Sequence, residues 1–255
     1  MTLAAHKPTY RPLARCGHEE LAMHLRSKVH REPTGGIAFA RKPAEEAKYG
    51  ARDAVMYLLN PAFWPERVTV LTMPGLKWKF EGALLKMREQ QNLLKRAPLR
   101  TSIDCIENDR SIYHAALVRM PGMRHPDHVF KVEPAPAWAE RAVSGWWINR
   151  YYFGNVDNLL EAPPRAYDVA WLDYTGPLSV TRLATIRRFF DSHVRRLLVV
   201  TSLKARWNRE TSAAIARVGS CNEWAHRGLG GGKVAHAIEY QDGASPMAQL
   251  AIWRE

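Results

Sequence analysis

Cysteine is scarce: Cys16, Cys105 and Cys221 are the only three in 255 residues. They lie too far apart to be read as a disulfide framework. Long apolar runs are missing as well. The best candidate, Arg196-Leu-Leu-Val-Val-Thr201, is strand-sized, well short of the ~20 residues of a membrane-spanning helix. The opening Met1-Thr-Leu-Ala-Ala-His-Lys-Pro8 shows no charged segment followed by an apolar one, which argues against a secretory signal. Metal-ligand spacing is lacking too, since Cys16 with His18 and His24 with His30 form no closed four-ligand set. A cytoplasmic protein without membrane contact or bound metal is expected.

Negative charge is also in short supply. Against 37 Lys+Arg stand 25 Asp+Glu, a formal net charge of +12. Such an excess favours polyanion partners, nucleic acid foremost. The cations cluster: Arg182, Arg187, Arg188, Arg195, Arg196, Lys204, Arg206 and Arg209 are opposed within that stretch only by Asp191. Arg182, Arg187, Arg188 and Arg206 are the candidate phosphate contacts, DNA or RNA. With 46% apolar and 24% charged residues, the composition excludes a fully disordered chain.

Residues 1–60 read as a basic, partly helical N-terminal extension punctuated by Pro8, Pro12, Pro33, Pro43 and Gly35-Gly36. Helices are expected there at 19–29 and 44–59. Residues 61–255 read as one domain of alternating strands and helices. The strands are Arg67-Val-Thr-Val-Leu-Thr72, Thr101-Ser-Ile-Asp-Cys-Ile106 ending at Glu107, Tyr151-Tyr-Phe153, Tyr167-Asp-Val-Ala-Trp-Leu172 ending at Asp173, and Arg196-Leu-Leu-Val-Val-Thr-Ser202. Helices are expected near 80–94, 111–119, 181–194 and 209–218. A closing hairpin pairs 234–240 with 247–253. This alternation predicts an α/β fold: a doubly wound, mostly parallel, seven-stranded sheet with an antiparallel C-terminal hairpin. Residues 120–150, with Pro121, Pro126, Pro134, Pro136, Trp138, Trp146 and Trp147, break the rhythm as an aromatic and Pro-rich insertion. Its tryptophans either pack on the sheet or form a base-stacking lid.

Five parallel strands, a terminal hairpin and acids closing the second and fourth strands resemble the class I S-adenosylmethionine-dependent methyltransferases over residues 66–253. The resemblance implies S-adenosylmethionine as cofactor. It places the methionine part of the cofactor at the turn after the first strand, Leu71-Thr-Met-Pro-Gly-Leu76, through Thr72, Met73, Pro74 and Gly75. The family has a Gly-rich turn here, whereas this sequence supplies one glycine. Glu107 then occupies the position of the acid that accepts both ribose hydroxyls, the plain alternative being a solvated strand-end carboxylate. Gly154-Asn-Val-Asp-Asn-Leu-Leu160 resembles the stretch that holds adenine, with Asn155 as the reader and Asp157 in reserve. Leu172-Asp-Tyr-Thr-Gly-Pro-Leu178 resembles the motif that amino methyltransferases place around the target nitrogen. There Asp173 orients the amine and Tyr174 stacks on the base, unless the segment is only a turn before a capped helix.

Gly228-Leu-Gly-Gly-Gly-Lys233 superficially resembles a phosphate loop. Val234 stands where Ser or Thr is required, and a strand follows instead of a helix, so it reads as a loop before the hairpin. Cys105 is expected to be buried in its strand and Cys221 to be a loop thiol. The function these features support is base methylation on nucleic acid. The alternative is a methyltransferase-fold protein without turnover that binds nucleic acid or serves in an assembly. A small-molecule methyltransferase is disfavoured by the cations.

Overall fold

The computed structural model describes residues 67–74, 78, 80–84, 100–117, 131–145, 148–204, 208–230, 232–242 and 245–254. The extension over 1–60 and its two expected helices lie outside the described residues, as do Gly75, Trp146, Trp147 and Arg206.

Among the described residues, nine strands form one sheet. They are β1 Arg67–Thr72, β2 Arg100–Glu107, β3 Lys131–Glu133, β4 Ala139–Ser144, β5 Ile148–Gly154, β6 Tyr167–Pro177, β7 Val194–Leu203, β8 Lys233–Asp242 and β9 Ser245–Trp253. Their order is β3-β4-β5-β2-β1-β6-β7-β9-β8. The five central strands β5-β2-β1-β6-β7 are all parallel. β9 returns antiparallel beside β7, and β8 completes the hairpin at the edge. Five parallel strands in this order, with this hairpin, make the doubly wound, mostly parallel α/β sheet expected from the sequence.

The expected count of seven strands is corrected to nine. The extra two come from the segment read as an insertion, where β4 pairs antiparallel with β5 and β3 with β4. Their short polar runs lie between prolines and carry little β-branched signal. Trp138, just before β4, donates its indole N–H to Ala162 O at 3.0 Å and packs on Tyr152 with ring centroids 4.8 Å apart. Of the two readings of the insertion, this tryptophan follows the first: it packs on the sheet.

Register sorts the strand residues onto two faces. One face carries Val70, Ile103, Cys105, Tyr151, Trp171 and Val199, all buried. Against it pack Trp78 and Phe80, the latter 4.6 Å from Trp171 between ring centroids. Tyr113 of helix α1, Arg110–Leu117, joins them and lies 4.6 Å from Tyr151. The opposite face buries Leu71, Ile106, Tyr152, Leu172, Tyr174, Leu198 and Val200 in the main core. Helices α2 Val156–Glu161, α3 Val180–His193 and α5 Cys221–Gly228 contribute to that core, as does Ile215 of α4, Arg209–Val218.

Local chemistry sets the helix ends. Ser179 caps α3 by accepting from Arg182 N, and Asn208 caps α4 through Thr211 N. Gly219 closes α4 at φ 91°, a left-handed conformation that glycine adopts without a Cβ penalty. α5 begins immediately after, capped by Ser220. Cys221 is therefore a buried helix residue and not a loop thiol. Burial pushes its thiol up to about 12. Gly228 ends α5 against α3, where a Cβ would stand 2.1 Å from Leu183 Cδ2. That packing demand, not phosphate binding, explains the first glycine of the Gly-rich stretch.

Candidate active site

In an open parallel sheet, ligands bind outside the carboxyl ends of the strands, where strand order reverses. Here the reversal falls between β1 and β6: β2 and β5 lie on one side, β6 and β7 on the other. The strand ends meeting there carry Thr72 to Pro74, Glu107 and Asp173, so the topology brings together residues more than a hundred positions apart in sequence.

After β1, Thr72 and Pro74 are buried and Met73 half-buried. Thr72 donates its hydroxyl to Glu81 Oε1 at 2.7 Å. Glu81, also buried, opens the helical segment that follows, and nothing in sequence marked it. The connection between them passes through Trp78, a non-glycine residue at φ 47°. Its indole N–H bonds Ala116 O of α1 at 2.9 Å, and its ring meets Tyr151 edge-on at 5.3 Å. Those contacts hold a backbone conformation that L-residues seldom adopt. A large aromatic anchor is thus held just after the end of β1.

Glu107 is half-buried at the end of β2. Its Oε1 accepts the backbone N–H groups of Asn108 at 2.8 Å and Asp109 at 2.9 Å. Oε2 has no partner among the described residues. Burial raises the carboxyl above its ordinary value, and the two backbone bonds pull in the opposite direction. The group is a pre-oriented carboxylate with one oxygen to offer.

The adenine side differs from expectation. Asn155 caps α2, its Oδ1 accepting from Asp157 N at 2.9 Å. One lone pair of Oδ1 is thereby used, and its amide N–H groups remain to meet a ring nitrogen. Asp157 is engaged with Arg182, Oδ2 to Nη2 at 2.8 Å. Its Oδ1 also accepts from the Tyr174 hydroxyl at 3.3 Å. Desolvation, the Asp157 charge and that bond raise the phenol, while Arg182 opposes the shift.

β6 does not stop at Asp173. It runs on to Pro177, with a register shift between the two, and pairs again at Leu203. Asp173 is half-buried at the carboxyl end. Tyr174 alternates to the other face, where it is 4% exposed within the main core. The Arg182 guanidinium covers its ring at 4.7 Å. The base-stacking role expected of Tyr174 is therefore corrected: its ring face is already occupied. The helix-cap alternative for this segment belongs to Ser179, not Asp173. Tyr174→Ala is expected to cost about 3–5 kcal/mol of stability as a large core truncation, and Tyr174→Phe about 1 kcal/mol. Chemical denaturation measures both. A Tyr174→Ala variant of unaltered stability but weaker oligonucleotide binding would restore the stacking role.

The cationic stretch is also redistributed. Arg182 sits at the carboxyl edge of the sheet, in its ion pair with Asp157. Arg195 starts β7 at the opposite edge and faces Asp168 at 3.6 Å, one length of α3 away, or about 21 Å. Arg187 reaches Asp191 at 3.7 Å, Arg188 bonds the Thr185 hydroxyl at 3.1 Å, and Lys204 pairs with Glu239. The run is thus not one continuous cationic surface. Arg187 and Arg188 remain exposed on α3. Among the described residues no three His, Cys, Asp or Glu side chains group to hold a metal ion. No described helix is long and apolar enough to cross a membrane.

No protein-family model matches this chain, and neither does any curated protein. Solved structures with a similar fold include the magnesium protoporphyrin IX methyltransferase of Synechocystis PCC 6803 with bound SAH, 12% identical over 91% of this chain and 94% of that one, TM-score 0.47. The N-methyltransferase NodS of Bradyrhizobium japonicum WM9 is 12% identical over 83% of this chain and 98% of that one, TM-score 0.46. Trm1 of Pyrococcus horikoshii in complex with S-adenosyl-L-methionine is 14% identical over 79% of this chain and 54% of that one, TM-score 0.41.

Proposed function

We propose that this chain is an S-adenosylmethionine-dependent methyltransferase whose acceptor is an amino group of a base in DNA or RNA. The observation that carries the reading is Glu107. Its half-buried carboxylate, with one oxygen fixed by two backbone N–H groups, stands at the end of β2 beside the reversal of strand order, where a ribose diol has two hydroxyls to donate. The residues that would hold the cofactor are Glu107 at the ribose, Thr72 to Gly75 at the methionine part, and Asn155 through its amide N–H groups at adenine. When bound, the cofactor supplies a methyl group on a sulfonium, transferred in line to a nucleophile while the S–C electron pair returns to sulfur.

The chain's own contribution is mainly position. Asp173, across the reversal from Glu107, accepts an N–H of the acceptor amine and so aims the nitrogen lone pair along the transfer line. The same carboxylate receives the proton the amine gives up. The net charge of +12 and the exposed Arg187 and Arg188 support a polyanionic acceptor. Replacing both arginines by alanine is expected to weaken oligonucleotide binding alike for all sequences. It should also lower the slope of log affinity against log salt by nearly one unit per lost phosphate contact. An unaltered slope would mark α3 as a solvated face only.

One observation favours a second reading, a nucleic-acid-binding protein of this fold without turnover. The Asp157–Arg182–Tyr174 cluster occupies side chains that adenine and the target base were expected to meet. Calorimetric titration with S-adenosylmethionine and S-adenosylhomocysteine separates the two. Saturable heats support the methyltransferase, whereas absent heats together with oligonucleotide binding support the second reading.

A further inference from the structure

Strand register places a polar rung next to the proposed acceptor site. Asp173 on β6 is directly opposite Thr201 on β7, and Thr201 is directly opposite Gln249 on β9. All three lie on the sheet face that carries Trp171. With strands ~4.8 Å apart, the rung spans about 10 Å. Gln249 and Thr201 are each 1% exposed, and the Gln249 Nε2 donates to Thr201 Oγ1 at 2.9 Å. The other end of the amide, Oε1, is buried without a hydrogen-bond partner among the described residues. If the amide is turned about, Nε2 becomes the unpaired atom, so one polar end lacks a partner in either orientation. Buried polar atoms are nearly always paired in native proteins, because leaving one unpaired forfeits a hydrogen bond. An unpaired amide end beside an acceptor site therefore points to a ligand.

The rungs on either side are apolar. Toward the strand starts lie Trp171, Val199 and Ala251. Toward the strand ends lie Leu203, Met247 and Tyr240, a small cluster separate from the main core. The polar rung carries no cation, so it is unsuited to phosphate or carboxylate. A polar stripe between apolar stripes complements a planar heterocycle, which has a hydrogen-bonding edge and apolar faces.

We infer that Gln249, oriented by Thr201, reads the hydrogen-bonding edge of the acceptor base while Asp173 holds its amino group. This rests on the proposed methyltransferase reading and assigns the source of its base specificity. Gln249 then plays the part that glutamine and asparagine amides play against base edges elsewhere. Thr201 is a positioning residue that fixes the amide plane. The target base must be unstacked to reach the rung.

The test uses the full chain without cofactor and a fluorescent single-stranded RNA of mixed sequence, with DNA of the same sequence as the second arm. In Gln249→Met, which keeps the volume and removes both amide ends, the anisotropy Kd is expected to rise about tenfold, the size of one base-edge contact. The salt slope should stay unaltered, since no phosphate contact is lost. The thermal midpoint of the ligand-free variant should shift little, because the unpaired buried amide end and the hydrogen bond to Thr201 are lost together. Thr201→Val should weaken binding in the same direction, and Thr201→Ser should restore it. An unaltered Kd in Gln249→Met overturns the inference. So does failure of the parent chain to bind either oligonucleotide. Cofactor calorimetry is scored separately: a tenfold effect without cofactor heats leaves a base-reading site on a protein that does not methylate.

Discussion

Glu107→Ala is expected to abolish measurable S-adenosylmethionine binding in calorimetry while leaving the thermal midpoint nearly unmoved. A carboxylate accepting two hydroxyls contributes about 3 to 6 kcal/mol, two charge-assisted hydrogen bonds' worth, or roughly two to four orders of magnitude in Kd. The fold loses little, because the N–H groups of Asn108 and Asp109 that Glu107 now satisfies are exposed and water replaces it. The pH dependence gives a second check. Burial raises the Glu107 carboxyl in the ligand-free chain, and only the ionised form accepts from both hydroxyls. Affinity should therefore decline as pH falls through a value above the ordinary glutamate range. Ligand-free stability moves the other way. A raised folded-state value adds stability below the unfolded value, and that contribution is lost as pH rises through the folded one. Cofactor affinity that holds steady down through the ordinary glutamate range would sink the ribose assignment.

Asp173→Ala should cost the chain its turnover, with cofactor affinity changed little. The expected loss in kcat is about 100-fold or more, since general acid–base groups contribute roughly 10²–10⁴. Asp173→Asn separates the two functions of the carboxylate. Its amide oxygen still accepts an N–H and keeps the amine oriented, yet it no longer takes the proton. Single-turnover methylation of an oligonucleotide, with the cofactor Kd measured alongside, distinguishes these effects from lost binding. Equal losses of cofactor affinity and turnover would place Asp173 on the cofactor side instead.

The central sheet was legible because β6 and β7 hold the apolar runs Val169-Ala-Trp-Leu172 and Leu197-Leu-Val-Val200, as strands buried on both faces do, while β1 and β2 mix β-branched with polar residues. β1, β2, β6 and β7 were found within a few residues, and β5 through its aromatic triplet. β3 and β4 carry no such signal. They are flank strands of short polar runs next to Pro134 and Pro136. The overrun of β6 was hidden for a different reason: Tyr174-Thr-Gly-Pro177 has turn composition, yet it pairs again with β7 at Pro177↔Leu203 while Arg182 covers the Tyr174 ring. Pairing across the fold was the least accessible level. Counting charges along 182–209 found one acid, whereas Asp157 and Asp168 approach the same cations from neighbouring elements. The Asp173–Thr201–Gln249 rung likewise depends on register between strands up to 76 positions apart, which no local pattern encodes.

The placement of β1 has a consequence for how the chain assembles. Both flanks of the sheet are built from near neighbours: residues 134–138 join β3 to β4, 145–147 join β4 to β5, and 243–244 join β8 to β9. β1, at the centre, must instead pair with β6 at Val70↔Val169, 99 positions away. Closing so long a span costs entropy before any contact repays it, and folding slows as such non-local contacts dominate. During synthesis the apolar β1 emerges early, yet one of its edges stays open until Tyr167–Pro177 has left the ribosome. Over that interval a strand that ends up at the centre of the sheet is an exposed hazard for aggregation.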